Sequence, residues 1–202
     1  MQANAGACGA YCRRSRGKRG LFFPGGSATL TGMKPEMELQ QLMTAAPPLT
    51  LAVAESLTCG RLQACIGAVS GASNYFLGGI TAYDLAQKVK HLRVNRVAAR
   101  REHSVSQRVA VEMAQGATAL FGADLALATT GYAEPNPATG VAAPMAWWAL
   151  CHRRRGGRST IISGLLELPG AGRVAAQEQV ADEVLRALVA YLREWRGAAR
   201  KK

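Results

Sequence analysis

The chain has 202 residues, of which 49% are hydrophobic, and a formal net charge of +12. This length and apolar content can bury one full core, and they favour one domain with a tail over two domains. No apolar stretch reaches the roughly 20 residues of a membrane span, so we expect no membrane contact. The five cysteines contain no C-x-x-C pair and the three histidines are scattered. This argues against a disulfide framework or a metal site and favours the reducing cytoplasm.

Much of the positive charge lies near the two ends of the chain. Residues 1–36 carry six basic residues against one acidic residue, and they lack apolar periodicity. We therefore predict a disordered basic tail over 1–36 or a translation start at Met33, with a transit peptide as a weaker alternative. We also predict a domain over 37–197 and a short basic tail over 198–202. Charge runs are usually solvated, so specific nucleic-acid binding is not expected.

The first predicted elements are a strand over residues 49–54 and a helix over 62–69. The strand is a short apolar run preceded by two prolines, and the helix has apolar residues at helical spacing. Ser56 then lies at a strand-to-helix corner and is a candidate nucleophile. The first N–H groups of this helix, around residues 58–60, lack intrahelical partners and are expected to attract an oxyanion or a phosphate. The alternative is that these Ser and Thr residues only cap the helix.

The rest of the chain alternates helical and strand patterns. After the first helix, it predicts a turn-rich connection over 71–79, a strand over 80–83 and a helix over 86–92. The next helix is capped by Ser104 or Ser106 and ended by Gly122. Strands over 124–130, 145–151 and 159–168 follow, and a closing helix carries an apolar stripe from Val180 to Trp195. Gly131 is expected to stop the third strand, and 153–158 to form a hairpin loop. Strands covered on both faces predict an α/β fold, a three-layer α/β/α sandwich with a mostly parallel or mixed sheet.

Polar residues follow the predicted strands at the edge where such sheets bind ligands. Ser56, Tyr83, Lys88 and Thr130 each lie at or just beyond the carboxyl end of a strand. Loops from this edge converge on one crevice in α/β sheets. We therefore expect these four residues to belong to one site.

Several separate motifs resemble the CinA C-terminal domain family, over about residues 49–192. They are Ala54-Glu-Ser56-Leu-Thr58-Cys-Gly60, Gly71 to Tyr83 followed by Lys88, Ser104-Val-Ser106, and Ala123 to Gly131. Enzymes of this competence/damage-inducible family are nicotinamide-nucleotide amidases, which convert nicotinamide mononucleotide to nicotinate mononucleotide and ammonia. The resemblance implies a standalone amidase domain that is three-layered, acts in pyridine-nucleotide salvage, needs no cofactor or metal, and forms a homo-oligomer.

The resemblance also implies a serine/lysine mechanism. Ser56 matches the family's nucleophile, Lys88 matches its base, and Tyr83 supports them. A serine hydroxyl is a poor nucleophile until a neighbour takes its proton. A lysine does so only when burial or positive charge lowers its pKa, and Lys90, Arg61 and the helix N-terminus are candidates for that charge.

Further matching positions are expected to bind the substrate. They are Glu55, Thr58, Gly60, Thr130, Gly131 and Arg173. Backbone N–H groups near 58–60, or after Gly131, are expected to stabilise a tetrahedral oxyanion. Arg173 resembles the arginine of the family's Gly-Asp-Arg motif and is expected to pair with the nucleotide phosphate.

Three departures from the family pattern leave alternative functions open. Cys59 replaces a glycine, Asp84 adds a carboxylate that is placed to pair with Lys88, and residues 134–144 replace a glycine-rich loop. The alternative is a catalytically inactive paralogue that binds a nucleotide or a protein partner. A basic nucleic-acid-associated protein is the third hypothesis, which requires salt-sensitive binding.

Overall fold

The computed structural model describes residues 34–154 and 156–199. The helices are α1 (Pro35–Thr44), α2 (Arg61–Gly67), α3 (Leu85–Leu92), α4 (Arg96–Arg101), α5 (Gln107–Phe121) and α6 (Arg173–Ala199), and the strands are β1 (Leu51–Glu55), β2 (Phe76–Thr81), β3 (Leu125–Tyr132), β4 (Met145–His152) and β5 (Thr160–Glu167). Most of the predicted N-terminal tail, residues 1–33, and residues 200–202 of the predicted C-terminal tail lie outside the described residues. Pro35 and Glu36, which we assigned to the tail, form the first turn of α1.

The strands form one mixed sheet in the order β2-β1-β3-β4-β5. β1 pairs in parallel with both β2 and β3, whereas β4 and β5 continue the sheet antiparallel. This confirms the predicted α/β fold with a mixed sheet. From β1 the chain continues to β2 on one side, and from β3 it continues to β4 on the other side. Such a reversal opens a crevice beyond the carboxyl ends of the strands.

Strand β1 shows why the sheet is covered on both faces. All five of its residues are buried, and successive side chains point to opposite faces. Leu51 and Val53 pack in a core cluster that includes residues of α1, α2 and α6. Ala52 and Ala54 pack in the second cluster, with residues of α3, α4 and α5. The apolar run that we interpreted as a buried strand therefore belongs to the sheet, which is the middle layer between two helical layers.

The largest differences between the predicted and observed strand boundaries, at the start of β2 and the end of β3, both involve glycine. β2 begins at Phe76 rather than at 80 and contains Gly79, where a Cβ would lie 2.4 Å from Cγ2 of Val53. β3 continues through Gly131, where a Cβ would lie 2.2 Å from the carbonyl oxygen of Met145. These glycines permit close approach between neighbouring elements, so they lie within strands instead of ending them.

The helix boundaries follow local capping. Ser106 is the N-cap of α5, where its hydroxyl accepts a 3.2 Å hydrogen bond from the N–H of Val109, and Gly122 ends the helix in the left-handed conformation, as predicted. The short helix α4 was not predicted, because its six residues, half of them basic, show no clear periodicity. No helix in the described part of the chain is both long enough and apolar enough to cross a membrane.

Candidate active site

A cavity of about 340 Å³ lies beyond the carboxyl ends of β1 and β3. Its walls are formed by Ser56, Leu57, Tyr83, Lys88, His103, Ser104, Val105, residues 131–136 and Arg173. The structure thus brings together five of the residues selected from the sequence: Ser56, Tyr83, Lys88, Gly131 and Arg173. Glu55, Thr58, Gly60 and Thr130 are absent from these walls, and their contacts explain why.

Lys88 is the most unusual polar residue of the site, because it is only 2% exposed, enclosed by α3 and the loops around it. Nζ donates hydrogen bonds to Oγ1 of Thr130 at 2.9 Å and to the carbonyl oxygen of Ser104 at 3.2 Å. The Thr130 hydroxyl donates in turn to the same carbonyl oxygen at 2.9 Å. Thr130 therefore lies behind Lys88 and orients it, rather than lining the cavity.

Burial lowers the pKa of Lys88 from 10.5 to about 8, because desolvation disfavours the ammonium ion. Asp84 acts in the opposite direction and is outweighed. The carboxylate of Asp84 forms no ion pair with Lys88, since it caps α3 by accepting a 2.9 Å hydrogen bond from the N–H of Gln87. The expected source of the shift is also corrected: desolvation accounts for it, not the charges of Lys90 and Arg61.

Ser56 follows the last residue of β1 and is 6% exposed. Its N–H donates to the carbonyl oxygen of Thr129 at 3.0 Å, which extends the pairing of β1 with β3. Its hydroxyl makes only a long contact of 3.5 Å, to the carbonyl oxygen of Tyr83. The predicted strand-to-helix corner is therefore confirmed, and the hydroxyl is held weakly beside the cavity that Lys88 also lines.

The carboxylate of Glu55 lies at the start of α2, where we expected a bound anion. Its buried carboxylate accepts hydrogen bonds from the N–H groups of Gly60 at 3.0 Å, Leu62 at 3.1 Å and Gln63 at 2.9 Å. These are the first N–H groups of α2, so the positive end of the helix dipole is neutralised from within. The expectation that Gly60 offers its N–H to an oxyanion or phosphate is wrong for this reason.

Thr58 also has a structural contact. Its hydroxyl and that of Thr129 form a 2.8 Å hydrogen bond, and both side chains are buried. This bond ties the corner after β1 to β3. The following residue, Cys59, has φ +50°, so a side chain occupies a left-handed position that glycine accepts more readily.

The loop between α4 and α5 contributes residues that the sequence did not single out as site residues. His103 and Ser104 both line the cavity, and both have left-handed backbone conformations with φ +49° and +64°. This conformation is uncommon for residues with side chains. It presents the Ser104 carbonyl to both Lys88 and Thr130. Ser104 had two signals in the sequence, as a candidate helix cap and as part of the Ser104-Val-Ser106 motif that resembles the family, but neither marked it as a site residue.

Arg173 reaches the cavity from the first turn of α6. Its Nη2 donates to the hydroxyl of Tyr83 at 2.9 Å and its Nη1 pairs with Oε1 of Glu134 at 2.7 Å. Glu134 belongs to the loop after β3, where Asn136 and Val141 bond each other through N–H and carbonyl groups at 2.8 and 3.0 Å. The sequence marks this loop as a departure from the family pattern, but it gave no reason to select Glu134 within it.

The donor groups of the site do not resemble a metal centre. Within residues 34–154 and 156–199, no group of three or more His, Cys, Asp or Glu side chains is placed to hold a metal ion. Ser56 and Lys88 line the same cavity, so the arrangement supports the chemistry of a hydroxyl beside a buried amine with a lowered pKa.

Comparisons with known proteins agree with this fold. The family model "CinA C-terminal domain" matches residues 35–192. A CinA-like protein of Picosynechococcus is 50% identical over 87 residues, which are 43% of this chain and 21% of that protein. The chain thus spans about a fifth of the length of that curated relative.

Solved structures give a longer match. A competence damage-inducible protein A from Klebsiella pneumoniae has a TM-score of 0.72 and 26% identity, covering 80% of this chain and 96% of the other. A competence-damaged protein (CinA) superfamily protein from Escherichia coli has a TM-score of 0.67 and 27% identity, covering 77% and 86%. This chain is similar to both over nearly all of its described part.

Proposed function

We propose that this chain, which belongs to the CinA C-terminal domain family, hydrolyses the carboxamide of nicotinamide mononucleotide to give nicotinate mononucleotide and ammonia. Ser56 is the nucleophile and Lys88 the base. The observation that carries this proposal is the burial of Lys88, whose pKa of about 8 leaves a useful neutral fraction near neutral pH, in the cavity that Ser56 also lines. We further propose a role in pyridine-nucleotide salvage, a cytoplasmic location and a homo-oligomeric state.

The hydrogen bonds of Lys88 suit the neutral amine. A neutral amine has two N–H groups and one lone pair, and Lys88 has two acceptors, the Thr130 hydroxyl and the Ser104 carbonyl. With both N–H groups engaged, the lone pair remains for the cavity side, where it accepts the proton of Ser56. Thr130 and Ser104 are therefore positioning residues for the base.

The reaction then proceeds through an acyl-enzyme. Ser56 Oγ attacks the amide carbon as Lys88 takes its proton, and the resulting ammonium returns that proton to the leaving ammonia. Water, activated by the same amine, hydrolyses the ester and releases the carboxylate. The N–H group of Leu57 is a candidate oxyanion donor, since it has no hydrogen-bond partner among the described residues and Leu57 lines the cavity.

The anionic part of the substrate is expected at the opposite wall. Arg173 lines the cavity and is about half exposed, so its guanidinium is accessible to a phosphate. Tyr83 supports the guanidinium through its hydroxyl. This arrangement would place the phosphate at Arg173 and the carboxamide at Ser56.

The direct test is ammonia release from nicotinamide mononucleotide by the full chain, beside Ser56→Ala and Lys88→Ala. We expect turnover in the wild type and a loss of at least about a thousandfold in each variant, because nucleophile and base act as a unit. Circular dichroism establishes that each variant is folded. No release by the folded wild type, or undiminished release by Ser56→Ala, would contradict the proposal.

A second candidate function is binding without hydrolysis, and one observation favours it. Glu134, which lies in the loop that departs from the family pattern, pairs with Arg173 and so competes with an anionic substrate. A folded wild type that binds nicotinamide mononucleotide but releases no ammonia would support this candidate over the amidase.

A further inference from the structure

Glu134 places a carboxylate where the substrate's phosphate is expected. Its Oε1 lies 2.7 Å from Nη1 of Arg173, and both residues belong to the cavity walls. The other terminal nitrogen of the guanidinium donates to the hydroxyl of Tyr83 at 2.9 Å. Each terminal nitrogen of the guanidinium thus already has one hydrogen-bond partner within the protein. One of these two partners, Glu134, carries a negative charge.

We propose that Glu134 is a specificity-determining residue, an internal competitor that a phosphate must displace from Arg173. This inference rests on the proposed function for the identity of the substrate, and it concerns how strongly the site favours phosphorylated over unphosphorylated amides. Carboxylate and phosphate present similar pairs of oxygens to a guanidinium, so they compete for the same donors.

The exposure of Arg173 and Glu134 determines how strongly their pairing weakens phosphate binding. The Arg173 and Glu134 side chains are 46% and 61% exposed, so water screens their attraction and the pair is easily opened. A phosphate carries more charge than a carboxylate and can replace it, at a cost in affinity. Exposed pairs of this kind change an equilibrium constant by roughly two- to fivefold, which sets the effect expected at this site.

The loop that carries Glu134 holds it near Arg173. Asn136 and Val141 form two backbone hydrogen bonds with each other, and Pro137–Thr139 forms a short 3-10 turn between them. Glu134 follows β3 by two residues and precedes this turn, so its backbone is constrained on both sides. An unconstrained loop would give a weaker competitor, because the carboxylate would lose more freedom on pairing.

The test is a titration with inorganic phosphate, followed by NMR on the backbone amides of residues 131–134 and 136, in the wild type and in Glu134→Gln. Glutamine keeps the shape of the side chain and removes its charge. We expect the dissociation constant of phosphate to fall roughly two- to fivefold in Glu134→Gln. Glu194→Gln is the matched control, because this exposed residue of α6 lies about 30 Å along the helix from Arg173 and should leave the constant unchanged.

A second comparison tests whether Glu134 affects phosphate binding through Arg173. In an Arg173→Ala background, Glu134→Gln should no longer tighten phosphate binding beyond the control, because the shared partner is gone. An unchanged or weaker phosphate affinity in Glu134→Gln, including no binding by either protein, would overturn the inference. A weaker affinity would show instead that Glu134 aligns Arg173 for the anion.

Turnover provides an independent readout. If the wild type is an amidase, Glu134→Gln should lower KM for nicotinamide mononucleotide by a larger factor than it changes KM for the unphosphorylated riboside. An equal change for both substrates would count against the inference. The phosphate titration requires no turnover, so failure of the amidase proposal and failure of this inference are separate results.

Discussion

Arg173, the first residue of α6, donates a 2.9 Å hydrogen bond to the hydroxyl of Tyr83, which lies 90 residues earlier in the chain. Only the fold brings these residues together, in the cavity that Lys88 also lines. The resemblance to the family suggested that Tyr83 supports catalysis. Its contact with Arg173 favours a more specific interpretation, in which Tyr83 positions the group that binds the substrate's anion.

Tyr83→Phe tests this interpretation. The variant loses the acceptor for Arg173 but keeps the ring, so we expect KM for nicotinamide mononucleotide to rise roughly two- to tenfold with kcat nearly unchanged. Steady-state ammonia release measures both constants. A large fall in kcat at constant KM would instead assign Tyr83 to the chemical step.

The rate should depend on pH through Lys88. The neutral amine is the reactive form, so kcat/KM should increase tenfold per pH unit below a pKa of about 8 and level off above it. Measurement between pH 6 and pH 10 checks this. A plateau that already extends to pH 6 would exclude a base of this pKa.

Lys88→Met should stabilise the fold while abolishing activity. The lowered pKa means that the unfolded chain binds more protons than the native one between pH 8 and 10.5, so wild-type stability increases with pH in that window. Below pH 8 the burial of Lys88 costs about 3 kcal/mol. Methionine avoids that cost, although it leaves the Thr130 and Ser104 oxygens with one donor fewer, and we expect a net gain of about 1–2 kcal/mol at pH 7.

Urea unfolding at several pH values measures this gain. The difference between Lys88→Met and the wild type should shrink as pH rises from 8 to 10.5. Lys90→Met, at an exposed position of α3, is the control and should show little difference at any pH. A Lys88→Met protein that is less stable than the wild type at pH 7 would mean that the hydrogen bonds of Lys88 outweigh its desolvation.

Glu55→Gln should destabilise the domain by about 2–4 kcal/mol. The buried carboxylate accepts three backbone N–H groups at the start of α2, and an amide would turn a donor toward one of them. Glu178→Gln, on an exposed part of α6, is the matched control. Thermal unfolding of the two variants checks the contrast, and equal stability would show that the cap carries little energy.

Gly116→Ala should destabilise the domain although alanine favours helices. A Cβ at Gly116 would lie 2.1 Å from the carbonyl oxygen of Leu92, where α5 meets the end of α3. Overpacking costs roughly 1–3 kcal/mol, and the helix propensity of alanine offsets only about 1 kcal/mol. We therefore expect a net loss of up to about 2 kcal/mol in denaturant unfolding.

Gly67→Ala is the control for this prediction. Gly67 ends α2, and a Cβ at this position would have no heavy atom of a neighbouring element within 4 Å. Alanine should therefore be neutral or stabilising by less than about 1 kcal/mol. A gain of stability in both variants would show that propensity and not contact controls these positions.

The amino-acid pattern alone predicted the layered α/β fold, most helices and strands, and the corner at Ser56. Buried strands and amphipathic helices are local patterns, so a single sequence displays them. The pattern failed at Gly79 and Gly131, because contacts with neighbouring elements require glycine inside these strands. No local rule distinguishes such a glycine from one that ends a strand.

The tertiary structure alone decided the roles of several polar residues. Glu55 and Asp84 each precede a helix, and the structure shows both as caps rather than as a substrate ligand and a partner of Lys88. The lowered pKa of Lys88 comes from burial between α3 and the loop at Ser104. Burial and long-range pairing depend on where distant segments of the chain meet. The sequence therefore supplied candidate site residues, and the fold determined which of them line the cavity.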